Sequence, residues 1–326
     1  MKGKALMAAN AVILAVTVLF SGFILLDAFV IPHYYGEVEI TEPNQTDTRS
    51  PETSSAGPDI TEPAATDAVS SRVPENTGAP SPRENSDTYY SDGNFTVEIL
   101  EYREYNTDIY VADIRLSSLD YLKTAFANNA YGRNVTAKVS SIASSVGAVV
   151  AINGDYYGAR NSGFVVRGGV IYRSSSSSNE ALAIFQDGSF GFYDERKTTA
   201  KIIVDSGARD VFSFGPGIIW GGQVIVSANS EVGHAMASNP RTAIGKYDDG
   251  LHYVFVVSDG RVRTSSGLTL YQLAMFMRNT LGVDAAYNLD GGGSSTMVFR
   301  GRIINNPTTN GGMISERAVS DIVYVG

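Results

Sequence analysis

The composition of the chain changes sharply near residue 94, and this division limits where a compact fold can form. Residues 36–91 consist mainly of Thr, Pro, Glu, Asp, Ser and Asn, as in "TEPNQTDTRSPETSSAGPDI". A segment with so few aromatic and β-branched residues cannot bury enough apolar surface to offset the entropy lost on ordering. We therefore predict a disordered stalk at 33–93 and a folded domain at 94–326.

A charge-free run, "ALMAANAVILAVTVLFSGFILL", precedes the stalk at 5–26. As a helix it would extend about 33 Å, at about 1.5 Å per residue, which is enough to cross the core of a bilayer. Lys2 and Lys4 stand before it, which favours a cytoplasmic N-terminus. We predict a cytoplasmic stub at 1–4 and a transmembrane signal-anchor at 5–32, in the bacterial cell membrane as a single pass, with the folded domain extracellular. The alternative is a cleaved signal peptide, whose apolar region is usually shorter.

Composition excludes several classes of function. The chain has no cysteine, so disulfides, zinc-thiolate sites and cysteine nucleophiles are excluded. Its formal net charge of −9 argues against nucleic acid as a partner, because non-specific binding to nucleic acid needs a basic surface.

The pattern of apolar residues in 94–326 predicts an α+β domain of mixed, strand-rich sheets with two main helices. The segment 95–116 alternates as two strands joined at "YNTD", and further hairpins are predicted with turns at "RGG", "QDGS" and Arg300–Gly301. One helix is indicated by apolar spacings of 4, 3 and 4 within 134–147. The other begins at Thr269, which forms a capping box with Gln272, and ends at Gly282.

Histidine chemistry is not favoured. The three histidines, His33, His234 and His252, lack the spacing of a two-histidine metal site, and no Gly-x-Ser-x-Gly nucleophile elbow is present. Carboxylates, arginines, amides and backbone groups are left to carry the chemistry.

Four short motifs place such groups at predicted strand ends, where loops often form a shared cleft. They are "AINGDYYG" with Asn153 and Asp155, "NPRTAIG" with Arg241 and Thr242, "NLDGGGSST" at 288–296, and "SERAVSD" with Glu316 and Arg317.

The third motif combines Asp290 with three glycines and three hydroxyl side chains. Backbone N–H groups can point at a ligand where no Cβ blocks the approach, so the loop suits a phosphate. The substrate-binding candidates of this loop are Gly291, Gly292, Gly293, Ser294, Ser295 and Thr296. Arginines grip phosphate bidentately, and carboxylates suit acid–base or nucleophilic work at a sugar anomeric carbon.

Plainer interpretations of each motif stay open. A run of glycines is most often a turn, and Asp155 could cap the turn beside it. Arg317 could form an ordinary surface ion pair. No cofactor is expected; a divalent cation beside Asp290 stays possible in principle, although one carboxylate among glycines is a weak ligand set.

In combination and in this order, "AINGDYYG", "NPRTAIG", "NLDGGGSSTMV" and "ERAVSDIVYV" resemble the phosphodiester glycosidase family over residues 94–326. The resemblance implies hydrolysis of the glycosidic C1–O bond of a sugar-1-phosphodiester. Carried over by motif, Asn153, Arg241, Asp290 with its glycine loop, and Arg317 match family positions, and Asp155, Glu316 and Asp321 match less strictly.

The resulting hypothesis is an extracellular hydrolase acting on glycosyl-phosphate or phosphoglycan substrates of the cell surface or of exopolysaccharides. Arg241, Arg317 and the loop amides would hold the phosphate, Asn153 would position a sugar hydroxyl, and Asp290 or Asp155 would act at the anomeric carbon. Two alternatives are a non-catalytic surface module that binds anionic glycans and a structural assembly factor for exopolysaccharide. The sequence names neither the sugar nor the stereochemical outcome.

Overall fold

The computed structural model describes residues 2–37, 85–230, 238–309 and 312–326. The helices, numbered in chain order, are α1 (Lys2–Phe29), α2 (Val139–Ser145), α3 (Ala200–Asp205) and α4 (Leu270–Phe276). The strands are β1 (His33–Glu37), β2 (Tyr89–Ser91), β3 (Phe95–Glu104), β4 (Thr107–Leu116), β5 (Leu122–Phe126), β6 (Ala130–Arg133), β7 (Val150–Asn153), β8 (Val165–Arg167), β9 (Val170–Arg173), β10 (Glu180–Phe185), β11 (Phe190–Asp194), β12 (Ala208–Phe212), β13 (Gly217–Trp220), β14 (Gln223–Val224), β15 (Arg241–Lys246), β16 (His252–Ser258), β17 (Ala285–Leu289), β18 (Met297–Phe299), β19 (Arg302–Ile303), β20 (Thr308–Thr309), β21 (Met313–Ile314) and β22 (Asp321–Val325).

Three antiparallel sheets form the body of the fold, which is a mixed, strand-rich α+β architecture as predicted. The largest has eight strands in the order β14-β13-β17-β15-β16-β4-β3-β2. A five-stranded sheet runs β19-β18-β7-β22-β5, and a second runs β11-β10-β12-β8-β9. Since β7, β15, β17 and β22 are interior strands, the ends that carry the motifs meet near the middle of the molecule.

The main apolar core is formed by inward side chains of all three sheets, including Phe255, Tyr287 and Phe299, each fully buried. A separate cluster joins the outer face of the eight-stranded sheet to α4, through residues such as Leu273 and Phe276. The helix α2 and the helix α3 cover the other two sheets in the same way. Each sheet is therefore buried on both faces at its centre, which explains its near-continuous apolar strands.

The local predictions of turns and caps are confirmed. The capping box of Thr269 and Gln272 begins α4, and Gly282 ends the helical segment with a positive φ of 73°. The hairpin β3–β4 turns at Tyr105 and Asn106, both with positive φ. The hairpins at "RGG", "QDGS" and Arg300–Gly301 also form. The short helix α3, begun by a cap at Thr199, was not among the predicted elements.

The predictions for the N-terminal residues agree less well with the structure. Among the residues that the structure describes, no helix is long and apolar enough to cross a membrane, so the anchor predicted at 5–32 is not supported. Two strands, β1 and β2, fall inside the range predicted as a stalk. Residues 38–84 of that range lie outside the described residues, and the predicted domain boundaries stay a prediction.

Candidate active site

The four sequence motifs converge through backbone hydrogen bonds between strand ends. The amide of Gly154, which follows β7, donates to the carbonyl of Asp321 at the start of β22 (3.0 Å). The amide of Asp290, which follows β17, donates in turn to the carbonyl of Gly154 (3.3 Å). The amide of Gly292 donates to the carbonyl of Pro240 just before β15 (2.8 Å). The convergence predicted from strand ends is therefore present in the fold.

Asn153 lies at the centre of this junction and is fully buried. Its Nδ2 donates to the carbonyl of Asp290 (2.7 Å), and its Oδ1 accepts from the Thr242 hydroxyl (2.9 Å) and the Thr296 amide (3.3 Å). The amide is fully used within the protein. Asn153 and Thr242 therefore hold the two ends of the glycine loop in register, and the sugar contact expected for Asn153 stays a prediction.

A cleft of about 330 Å³ opens beside this junction. Its size suits a small ligand, since such sites usually measure roughly 300–1,000 Å³. The lining contains three groups of residues: motif residues, neighbouring aromatic and small residues, and the end of the N-terminal helix. Among these residues are Asn153, Asp155, Tyr156, Asp290, Arg317 and Phe29.

Asp290 is the carboxylate that reaches the cleft, with a side chain 13% exposed. Arg317 Nη2 lies 3.3 Å from Asp290 Oδ2, and Arg317 also donates to the Ser294 hydroxyl, from Nη2 at 2.6 Å and from Nε at 3.0 Å. Burial raises the pKa of Asp290 above its ordinary value, while the Ser294 hydroxyl and the charges of Arg317 and Arg160 act in the opposite direction. Asp290 is thus a partly desolvated carboxylate held by an arginine.

Asp155 is placed differently, although its residue also borders the cleft. Its side chain is completely buried, and Arg167 Nη2 lies 3.4 Å from Oδ2. Oδ2 also accepts from the Ser213 amide, and Oδ1 accepts from the Tyr157 amide. Arg167 forms a shorter ion pair with Asp321 Oδ2 (2.6 Å). Asp155 therefore belongs to a buried ionic cluster beneath the cleft, which favours Asp290 for contact with substrate.

The glycine loop is packed closely by side chains of the protein itself. Gly292 has a φ of +64°, and a Cβ there would lie 2.8 Å from the guanidinium of Arg261. A Cβ at Gly293 would lie 3.2 Å from the Thr309 hydroxyl. Glycine is needed here because the backbone is left-handed at Gly292 and because neighbouring polar groups approach it directly.

Arg241 lies beneath this loop and outside the cleft. It is 3% exposed, and its Nε donates to the carbonyl of Leu268 (2.9 Å). Burial lowers the pKa of Arg241 to about 10, and the positive charge of Arg261 contributes to the decrease. Arg241 is still charged at neutral pH, so it places positive charge under the loop without direct contact with the cleft.

Of the other predicted substrate residues, Glu316 makes a structural contact. The Glu316 carboxylate accepts from the amide (3.0 Å) and hydroxyl (2.6 Å) of Ser140 and so caps α2. Ser295 and Thr296 are fully buried. Ser294 alone of the three hydroxyl residues joins the Asp290–Arg317 pair.

Two features of the site were missed by sequence reasoning. Arg160 lies just beyond the "AINGDYYG" motif, with its guanidinium 5.0 Å from the Phe214 ring centre and 5.9 Å from that of Tyr156. The available sequence signal for Arg160 was a basic side chain two positions after the motif. The N-terminal segment also reaches the rim, where Phe29 and Val30 line the cleft. No local signal connects residues so far apart in sequence.

The part of the chain that the structure describes contains no group of three or more His, Asp or Glu side chains arranged to hold a metal ion.

Comparison with known proteins identifies the family of this chain. The model of the phosphodiester glycosidase family matches residues 146–326, more than half of the chain. This chain belongs to the phosphodiester glycosidase family. The matched range contains all four motifs and so includes the whole junction around Asn153 and Asp290.

Two relatives place the family match in context. The chain is 32% identical over 216 residues to the SPbeta prophage-derived uncharacterized protein YomE of Bacillus subtilis (strain 168); the match covers 63% of this chain and about a third (32%) of that relative's length. The catalytic domain of zebrafish N-acetylglucosamine-1-phosphodiester alpha-N-acetylglucosaminidase, auto-inhibited by its pro-peptide, superposes with a TM-score of 0.57 at 19% identity. That match covers 74% of this chain and 85% of the zebrafish chain, and it shows a shared fold.

Proposed function

We propose that this protein hydrolyses sugar-1-phosphodiesters at the C1–O bond, with Asp290 acting at the anomeric carbon. The observation that carries the proposal is the Asp290–Arg317 pair at 3.3 Å in a cleft of about 330 Å³. Membership of the phosphodiester glycosidase family supports the reaction type. The proposal also includes substrates from cell-surface or exopolysaccharide glycans and an extracellular location.

The chemistry of the leaving group explains why one reachable carboxylate is enough. An ordinary glycosidase needs a second carboxyl group to protonate the departing alkoxide. A phosphomonoester leaves as a stable anion, so positive charge beside the phosphate does the corresponding work. The arginines near Asp290 supply that charge.

In the proposed step, Asp290 takes a proton from a water molecule as the water oxygen bonds to C1. The C1–O bond breaks, its electron pair stays on the phosphate oxygen, and the free sugar and a phosphomonoester are released. The raised pKa of Asp290 favours this role, because a base works best when its pKa approaches the working pH. Direct attack by Asp290 on C1 is the alternative role for the same carboxylate.

The test is release of free sugar from a phosphodiester of N-acetylglucosamine 1-phosphate. We expect Asp290→Asn to lower kcat by a factor of about 10²–10⁴, the usual contribution of a positioned base. Asp284→Asn is the matched control, since Asp284 is partly exposed, lies six positions earlier and does not line the cleft. Turnover by Asp290→Asn at the wild-type rate would refute the assignment.

The same assay separates catalysis from binding alone. A surface module that only retains anionic glycans would bind the phosphodiester and return it intact. Recovery of unchanged substrate after prolonged incubation with wild-type protein, at saturating concentrations, would favour that second function.

A further inference from the structure

Arg160 is a half-buried arginine whose side chain lies against two aromatic rings. Its guanidinium faces the rings of Phe214 and Tyr156 at 5.0 and 5.9 Å. Cation–π contacts of this kind hold a guanidinium in place while leaving its N–H groups able to bind an anion. Among the described residues, no carboxylate forms an ion pair with Arg160. The charge is therefore positioned by aromatic faces without being neutralised.

Arg160 follows two residues that line the cleft. Tyr156, which carries one of the two rings, lines the cleft together with Ala159, the residue directly before Arg160. The positive charge of Arg160 also acts on the Asp290 carboxyl, in the same direction as Arg317. Asp290 thus feels the positive charge of two guanidiniums, and the net charge of the three groups is +1 when Asp290 is ionised.

The backbone around Arg160 is fixed as well. Its amide donates to the carbonyl of Tyr157 (3.1 Å), and its own carbonyl accepts from Arg173 Nη1 (2.6 Å). Arg173 in turn binds the carbonyl of Gly163 through Nε (2.6 Å). A guanidinium held from both its backbone and its aromatic neighbours loses little conformational entropy when it binds a ligand.

We propose that Arg160 is a phosphate-binding residue of the cleft and that it contacts the phosphodiester opposite Arg317. Arg317 is engaged by Asp290 and Ser294, and Arg241 is buried beneath the glycine loop. Arg160 therefore supplies the contact with the non-bridging oxygens and selects anionic over neutral glycosides. This inference rests on the proposed function, since it takes a glycosyl phosphodiester as the substrate.

The test compares Arg160→Gln with Arg263→Gln, since Arg263 is an exposed arginine outside the cleft. Inorganic phosphate is titrated into each protein by calorimetry, and kcat and KM are measured for a phosphodiester and for a neutral aryl glycoside of the same sugar. Arg160→Gln should weaken phosphate binding and raise the KM for the phosphodiester about tenfold or more, as expected for loss of a charge-assisted hydrogen bond. The neutral glycoside should be unaffected, and Arg263→Gln should behave as wild type.

The two proposals fail separately. Wild-type phosphate affinity and KM in Arg160→Gln, with turnover still dependent on Asp290, would overturn the role of Arg160 and leave the proposed function standing. Phosphate binding that requires Arg160, without any turnover by the wild-type protein, would overturn the proposed function and support the phosphate site. Absence of phosphate binding by the wild-type protein would overturn the site.

Discussion

Asp290 and Asp155 show how strongly the surroundings of a residue decide its role. Both follow apolar strands and both precede glycine- or aromatic-rich turns, so local pattern makes each a candidate, although Asp155 matches the family motif less strictly. In the fold, Asp290 reaches the cleft beside Arg317, while Asp155 is enclosed with Arg167 and Asp321. The partners that separate the two carboxylates come from distant positions and could not be read from either motif.

The pH dependence of activity should report on Asp290. If Asp290 acts in its ionised form, kcat/KM falls as the pH drops through its raised pKa. Replacing Arg317 by Gln removes a positive charge 3.3 Å from the carboxylate, which raises this pKa further and moves the acid limb of the profile to higher pH. Arg263→Gln serves as the control. An acid limb at the same pH in wild type and Arg317→Gln would contradict the assignment.

The glycine loop allows a second test at the scale of one residue. Gly292→Ala combines a φ of +64° with a collision against Arg261. Gly301→Ala is the matched control, since its φ is +77° but no atom lies within 4 Å of the added Cβ. Both should lose about 1–2 kcal/mol of unfolding free energy from backbone strain. The two losses, measured by urea denaturation, should be similar, because the guanidinium of Arg261 is the end of an exposed, flexible side chain and can move aside. A much larger loss in Gly292→Ala would show that Arg261 is held rigidly against the loop.

At the scale of elements, sequence periodicity did not predict how the N-terminal segment packs on the rest of the fold. The strand β1 pairs with β6, and Tyr35 contacts Tyr131, whose ring stacks on Tyr157 at 5.3 Å between centroids. Arg133 donates to the carbonyl of Ala28 (2.8 Å) at the end of α1. These contacts bring the end of α1 to the cleft.

Phe29 should therefore limit the size of the group that the cleft accepts. Phe29→Ala removes a wall of the cleft, so kcat/KM should rise severalfold for a phosphodiester with a bulky second ester group and change little for a methyl ester. Phe23→Ala is the matched control, because Phe23 is exposed on the same helix and does not line the cleft. The same ratio of the two substrates in all three proteins would show that Phe29 does not restrict the site.

At the scale of the whole molecule, a buried ionic cluster joins two of the sheets beneath the site. Arg167 at the end of β8 pairs with Asp321 of β22 and with Asp155 after β7. All three side chains are 5% exposed or less. Burial raises the pKa of Asp321, Arg167 lowers it, and the neighbouring Asp155 raises it. One arginine thus holds two carboxylates at a junction that the cleft depends on.

Loss of this arginine should destabilise the protein as a whole. Arg167→Met leaves two buried carboxylates without their cation, so the free energy of unfolding should fall by about 3–5 kcal/mol. Lys201→Met is the control, because Lys201 pairs with Asp205 on the exposed face of α3 and such pairs contribute little. The measurement is urea denaturation followed by circular dichroism. A loss no larger than that of the control would contradict a stabilising role for the cluster.

Local pattern was sufficient for the hairpin β3–β4, for the other predicted hairpin turns and for the cap of α4, because alternation, left-handed turn residues and capping hydrogen bonds act over a few neighbouring positions. The motifs at predicted strand ends also identified Asn153, Asp290 and Arg317 as candidate site residues. The exposure of Asp290, the burial of Arg241 and the nearness of Arg160 and Phe29 were decided only when the sheets packed together. Burial and charge pairing depend on groups far apart in the chain, and no motif of a few residues contains them.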